Sequence, residues 1–132
     1  MKCLIAEDHL MSRRILKELL PPYADTDIAV NGQEAIDSFV LAHESKRPYD
    51  VIFMDIMMPV VDGQQALKAI RALEKKMEIP PGLAVKVIMT TALDDPSTVI
   101  KSFNDCEADA YLVKPLSRQK LAKELRALNL IM

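Results

Sequence analysis

The sequence predicts an α/β protein with a five-stranded parallel sheet covered by helices on both faces. Five short apolar runs alternate with five amphipathic stretches along the 132 residues, which is the pattern of a doubly wound sheet. The first, third and fourth runs are almost continuously apolar and rich in Ile and Val, as expected for strands buried on both faces. The length fits one domain, so we expect residues 1–132 to form a single unit without an output domain.

Each predicted element follows from a local pattern. The apolar runs place strands at residues 2–6, 27–30, 51–54, 85–89 and 111–113. Between the first two strands, residues 10–20 form an amphipathic helix that Pro21 and Pro22 end. The remaining four helices begin at residues that favour the N-cap position. These are Asn31 with Glu34 as its capping-box partner, Asp62, Asp95 followed by Pro96, and Ser117.

Composition excludes several classes of protein. The chain has 17 basic and 19 acidic residues and a net charge of −2, which argues against non-specific nucleic-acid binding. No apolar run reaches the roughly 18 residues that a membrane span needs. The N-terminus does not resemble a signal peptide. Two cysteines, Cys3 and Cys106, provide no disulfide framework, so we expect a reduced, cytoplasmic setting.

Polar residues follow four of the five apolar runs. Because the carboxyl ends of parallel strands share one edge of the sheet, where open α/β sheets bind ligands, we expect these residues to converge. They are Glu7 and Asp8 after the first run, Asp55 after the third, Thr90 and Thr91 after the fourth, and Lys114 after the fifth.

This set of side chains predicts a chemistry. Three clustered carboxylates require a neutralising cation, or one of them must take up a proton. Hard oxygen ligands, without a visible His or Cys pair, favour Mg²⁺ or Mn²⁺. Lys114 can balance the charge of a phosphate, and a threonine hydroxyl can donate to it. The set therefore supports phosphoryl transfer with Asp55 as the nucleophile.

Five segments, spread from the first strand to the start of the last helix, carry motifs that occur together in one family. They are Glu7-Asp8, Asn31-Gly32-Gln33-Glu34-Ala35, Asp55 with Met58-Pro59-Val60-Val61-Asp62-Gly63, Thr91-Ala92, and Tyr111-Leu112-Val113-Lys114-Pro115. With them the whole chain resembles the receiver (CheY-like) domains of bacterial two-component response regulators. The resemblance implies a flavodoxin-like (βα)5 fold with strand order 2-1-3-4-5.

The resemblance also implies roles for individual residues. Asp55 would accept a phosphoryl group from a phosphohistidine of a sensor histidine kinase or phosphotransfer protein. Thr91 would hydrogen-bond the acyl phosphate and Tyr111 would turn inward, changing the surface formed by the fourth helix, fifth strand and fifth helix for a downstream protein target. The Lys114-Pro115 bond would be cis. Mg²⁺ would be held by Glu7, Asp8, Asp55 and the backbone carbonyl of Met57, with Lys114 on the phosphoryl oxygens.

Further consequences of the resemblance concern regulation. The protein would be a monomer or a phosphorylation-dependent homodimer, and it would catalyse only its own phosphorylation and dephosphorylation. Met57 and Leu93 flank the path of the hydrolytic water in the family. Both are apolar here, so we expect slow autodephosphorylation. Two departures from the family pattern are Glu7, whose longer side chain we expect to reach the ion through water, and Glu107 where glycine is common.

Alternatives remain at this point. An aspartate-nucleophile phosphatase of the haloacid-dehalogenase type would need a second Asp two residues after Asp55, where Met57 stands. A receiver-like interaction module without phosphorylation is the other alternative, and the complete set of site residues argues against it. Thr90 competes with Thr91 for the hydroxyl role. Asp62 is interpreted as a helix cap rather than a metal ligand.

Overall fold

The computed structural model describes residues 1–91 and 108–132. Its sheet contains five parallel strands in the order β2-β1-β3-β4-β5, which confirms the predicted fold class and topology. The second strand begins and ends earlier than predicted, and the fourth extends through both threonines. The strands are β1 Lys2–Ala6, β2 Asp25–Ala29, β3 Val51–Asp55, β4 Lys86–Thr91 and β5 Ala110–Val113.

Four α-helices lie in the described residues: α1 Leu10–Leu19, α2 Gly32–Glu44, α3 Gly63–Lys76 and a C-terminal helix Arg118–Ala127. A 3-10 turn, Pro81–Leu83, precedes β4. The predicted fourth helix lies outside the described residues, as do Leu93, Cys106 and Glu107. In the described part of the chain, no helix has the length and apolar character that crossing a bilayer requires.

The predicted N-caps of three helices are confirmed. Asn31, Asp62 and Ser117 each accept a hydrogen bond from the backbone N–H three residues later. Asp62 forms a complete capping box with Gln65. The expected box at Asn31 is wrong in one respect, because the Glu34 carboxylate accepts from the backbone N–H of Val30 at 3.1 Å rather than from that of Asn31.

Two apolar cores lie on opposite faces of the sheet. Alternate residues of β1 point to opposite sides, so Leu4 packs in one core with residues of α2 and α3. Ile5 packs in the other core, with Leu16 of α1 and Leu125 of the C-terminal helix. This covering of both faces explains why the sequences of β1 and β3 are so uniformly apolar, with polar residues only at their ends. The edge strand β2 is less buried and also carries polar residues in its interior.

Candidate functional site

Three carboxylates meet at the carboxyl-terminal edge of the sheet. Glu7 directly follows β1, Asp8 comes next, and Asp55 is the last residue of β3. The parallel pairing of β1 with β3 brings these positions together. One oxygen from each carboxylate lies within 4.8 Å of the others. Glu7 and Asp55 are buried, at 1% and 6% exposure, whereas Asp8 is exposed and faces solvent.

Lys114, the residue after β5, places its ammonium between two of these carboxylates. Its Nζ lies 2.5 Å from Glu7 Oε1 and 3.3 Å from Asp55 Oδ2. The backbone N–H of Lys114 donates to the Thr91 carbonyl at 2.7 Å, which ties this turn to the end of β4. The Lys114-Pro115 peptide bond is cis, as expected.

Electrostatics of the site follow from burial and from these contacts. Burial raises the pKa of Glu7, and the adjacent Asp55 carboxylate raises it further, against the opposing effect of Lys114. Burial on its own would lower the pKa of Lys114. The hydrogen bond to Glu7 and the charges of Asp55 and Glu7 outweigh burial and raise that pKa. Lys114 therefore carries its positive charge at neutral pH.

The loop after Asp55 is shaped by close backbone approach. Asp55 Oδ1 accepts from the backbone N–H of Met57 at 3.2 Å. The N–H of Gly63 donates to the Ile56 carbonyl at 2.9 Å. A Cβ at Gly63 would lie 2.1 Å from the Asp55 carbonyl oxygen, so only glycine allows α3 to begin this close to the acceptor strand. The sequence motif at residues 58–63 thus has a steric basis.

Val60, in the same loop, has an unusual backbone conformation. Its φ is 69°, a left-handed value that is disfavoured for a β-branched residue. Its side chain is 81% exposed. The neighbouring Val61 carbonyl accepts from the Gly32 N–H at 2.9 Å, which joins the loop to the start of α2.

The remaining predicted site residues lie at or near the same edge. Thr90 pairs in register with Asp55, and Thr91 is the next and last residue of β4. Both threonines are 1% exposed. Tyr111 is partly buried against the core on the α2–α3 face, and it pairs with Met89, two residues before Thr91. Because side chains alternate along a strand, Tyr111 and Thr91 project to the same face of the sheet.

Sequence reasoning missed one residue beside the acidic pair. Arg13 lies on the polar side of the first helix, away from its apolar residues, and its Nη1 donates to the carbonyl oxygens of Glu7 and Asp8. Helical periodicity separates Arg13 from the apolar face of α1 but does not indicate that the chain folds back against its side chain. No local sequence signal could have identified this contact.

The carboxylate cluster has the chemistry to hold a hard divalent cation. All three donors are oxygens, and the exposed Asp8 leaves a route from solvent. Mg²⁺ and Mn²⁺ prefer such ligands and retain part of their water shell when few carboxylates bind them. Glu7, Asp8, Asp55 and the backbone carbonyl of Met57 could therefore hold one ion.

Comparison with known proteins identifies the same family as the sequence motifs do. The family model for the response regulator receiver domain matches residues 3–126. The probable transcriptional regulator ycf29 of Porphyra purpurea is 34% identical over 95% of this chain, which spans 54% of that protein. ResD of Bacillus subtilis is 35% identical over 96% of this chain, which spans 47% of ResD. The chain thus spans about half the length of these two relatives.

A solved structure shares the fold. The receiver domain of the histidine kinase CKI1 from Arabidopsis thaliana, complexed with Mg²⁺ and BeF₃⁻, superimposes with a TM-score of 0.81 and 26% sequence identity. The alignment covers 97% of this chain and 89% of that one.

Proposed function

Because the chain belongs to the response regulator receiver domain family of two-component signalling, we propose that it is a switch phosphorylated on Asp55. The phosphoryl donor is a phosphohistidine of a sensor histidine kinase or phosphotransfer protein, and the reaction depends on Mg²⁺. The observation that carries this proposal is the meeting of three carboxylates and the Lys114 ammonium at one edge of the sheet.

Asp55 is the acceptor because of its position. Its carboxylate ends β3, between Lys114 on one oxygen and the Met57 N–H on the other. An Asp55 oxygen attacks phosphorus, the phosphorus–nitrogen bond of phosphohistidine breaks, and the imidazole leaves with the bonding electron pair. The Lys114 ammonium and the Met57 N–H are fixed donors that orient the attacking carboxylate.

Lys114 is the charge partner of the transferred group. Its ammonium bridges Glu7 and Asp55, which supports contact with a phosphoryl oxygen once Asp55 is phosphorylated. Thr91 donates a hydrogen bond to another of these oxygens. Divalent magnesium, when bound, supplies positive charge against the phosphoryl oxygens. Glu7, Asp8, Asp55 and the Met57 carbonyl are the groups that hold it.

Phosphorylation acts as a switch by favouring one conformation over another. Movement of Thr91 toward the phosphoryl group opens space on its face of the sheet, and Tyr111 turns into that space. The surface around β5 and the C-terminal helix then changes for a downstream protein.

A groove of about 300 Å³ beside Lys114, lined by Ser12, Ile15 and Leu116 among others, leaves room for the phosphoryl donor.

The test is chemical phosphorylation followed by intact-mass measurement. The full chain is incubated with acetyl phosphate and Mg²⁺, and we expect one phosphoryl group per molecule that is absent with a chelator. Asp55→Asn should abolish the modification, whereas Asp37→Asn, at an exposed site on α2, should leave it intact. Equal modification of wild type and Asp55→Asn would reject Asp55 as the acceptor.

The phosphatase alternative makes a different prediction. Met57, two residues after Asp55, offers neither an acid nor a base and is 65% exposed. We therefore expect no turnover of a phosphate monoester such as p-nitrophenyl phosphate. Sustained turnover that is lost in Asp55→Asn would favour that enzyme class instead.

A further inference from the structure

Arg13 supports the turn that carries the acidic pair, although it is not one of the carboxylate ligands. Its Nη1 donates to the carbonyl oxygens of both Glu7 and Asp8, each at 3.1 Å. Arg13 lies in the first half of α1 and is partly buried. The adjacent Arg14 is exposed to solvent. Two neighbouring arginines of the same helix therefore have different surroundings.

Asp8 depends on this backbone support more than the other two carboxylates do. Both oxygens of Glu7 accept hydrogen bonds, from Lys114 and from the backbone N–H of His9. The Asp55 carboxylate also accepts two. Within residues 1–91 and 108–132, no hydrogen bond to the Asp8 side chain is found, and that side chain is exposed. Among the described residues, the Asp8 side chain is therefore supported only through its own backbone.

We propose that Arg13 is a positioning residue that prepares Asp8 for a divalent cation through its two carbonyl contacts. This inference rests on the proposed function, since it concerns the same metal site. Preorganisation of a ligand strengthens binding because less freedom is lost when the ion arrives. Arginine suits this role, since its guanidinium stays charged and offers several donors.

The direction in which cation affinity changes when Arg13 is replaced separates a positioning role from a purely electrostatic one. A positive charge near a cation site weakens cation binding by Coulomb repulsion. If Arg13 acted only through its charge, removing that charge would tighten binding. If Arg13 acts by holding the Glu7–Asp8 turn, removing it weakens binding despite the loss of repulsion.

The experiment measures Mn²⁺ affinity of the full chain from the electron paramagnetic resonance signal of the unbound ion. Arg13→Met removes the donors while keeping a good helix former, and Arg14→Met is the matched charge control. We expect Mn²⁺ to bind Arg13→Met about tenfold more weakly than wild type, within the range that loss of outer-shell partners causes. Arg14→Met should bind it equally or slightly more tightly. Arg13→Gln, which is too short for the same contacts, serves as a second variant.

A spectroscopic signature accompanies the affinity change. In the ion-free protein the carbonyl ¹³C resonances of Glu7 and Asp8 should shift in Arg13→Met and not in Arg14→Met. If wild type binds Mn²⁺ and Arg13→Met binds it equally or more tightly, the proposed role of Arg13 is overturned and the metal site is not. Absence of Mn²⁺ binding by wild type overturns the metal site itself and the proposed function with it.

Discussion

Replacing Asp55 with Asn should stabilise the ion-free protein, although it removes the phosphoryl acceptor. At an effective dielectric of about 20, the 3.3 Å separation from Lys114 Nζ corresponds to an attraction of about 5 kcal/mol. Glu7, with an oxygen within 4.8 Å, repels Asp55 by at least about 3.5 kcal/mol on the same scale. Asp8 is exposed and screened, so it adds only about 1 kcal/mol of repulsion.

Attraction and repulsion thus nearly cancel at Asp55. The desolvation cost of a buried carboxylate, several kcal/mol, is therefore offset only in part, by the hydrogen bond from the Met57 N–H, at 6% exposure. Asn has nearly the same shape and keeps an oxygen for the Met57 N–H. We therefore expect Asp55→Asn to raise the free energy of unfolding by about 1–2 kcal/mol without a divalent ion, as is common when charges clustered for function are removed.

Magnesium should reverse the order of stability. An ion that binds only the folded state stabilises wild type by about 2.7 kcal/mol at about 100 times its Kd, and Asp55→Asn should gain much less. The assay is urea unfolding in chelator and in excess Mg²⁺, with Asp37→Asn as the control. A less stable Asp55→Asn in chelator, or an equal gain from Mg²⁺ in both proteins, would refute the reasoning.

Four other predictions concern single sites. Met57→Asn should speed the loss of phosphate from the Mg²⁺-bound acyl phosphate, because an amide can orient the attacking water where the exposed Met57 side chain cannot; an unchanged decay of the phosphorylated mass contradicts this. Val60→Asn should raise the free energy of unfolding by about 1 kcal/mol in urea denaturation, because Asn tolerates the left-handed backbone at φ 69° better than Val does; a loss of stability would count against strain at this residue. Gly63→Ala should destabilise the protein by about 2 kcal/mol or more, because its Cβ would meet the Asp55 carbonyl oxygen. Gly82→Ala has open space around its Cβ and should be neutral in the same assay. Similar free energies of unfolding for the two variants would be inconsistent with this packing. Burial raises the pKa of the Cys3 thiol far above its usual value, so the folded state favours the protonated thiol. The stability advantage of wild type over Cys3→Ala should therefore shrink as the pH rises past about 8.5, where the unfolded thiol ionises. A stability difference that stays constant from pH 7 to about 10 would contradict this prediction.

Local patterns in the sequence predicted most of the fold. Continuous apolar runs identify doubly covered strands because both faces of a parallel sheet are buried. The caps at Asn31, Asp62 and Ser117 were predictable because capping depends on residues only three apart. The acidic edge was predictable because polar residues that directly follow buried strands must emerge at the same side of the sheet.

Features that depend on distant contacts were not predictable. A partly buried network joins Arg71 and Glu74 of α3 to Asp109 just before β5, with Arg71 2.7 Å from Glu74 and 2.8 Å from Asp109. Its members are up to 38 residues apart. The spacing from Leu67 and Ile70 places Glu74 on the buried face of α3, but no local pattern identifies the partner that balances its charge. The left-handed conformation of Val60 is similarly set by the backbone contacts of its loop, not by its own preference.

Covalent mapping of the phosphoryl group tests the central claim most directly. The protein is phosphorylated by acetyl phosphate with Mg²⁺, reduced with borohydride, which converts an aspartyl phosphate to homoserine, and then digested for peptide sequencing by mass spectrometry. We predict homoserine at position 55 and nowhere else, and none when a chelator replaces Mg²⁺. Homoserine at position 8 instead, or labelling of position 55 that does not depend on a divalent ion, would contradict the assembly of Glu7, Asp8, Asp55 and Lys114 into one phosphoryl-accepting site.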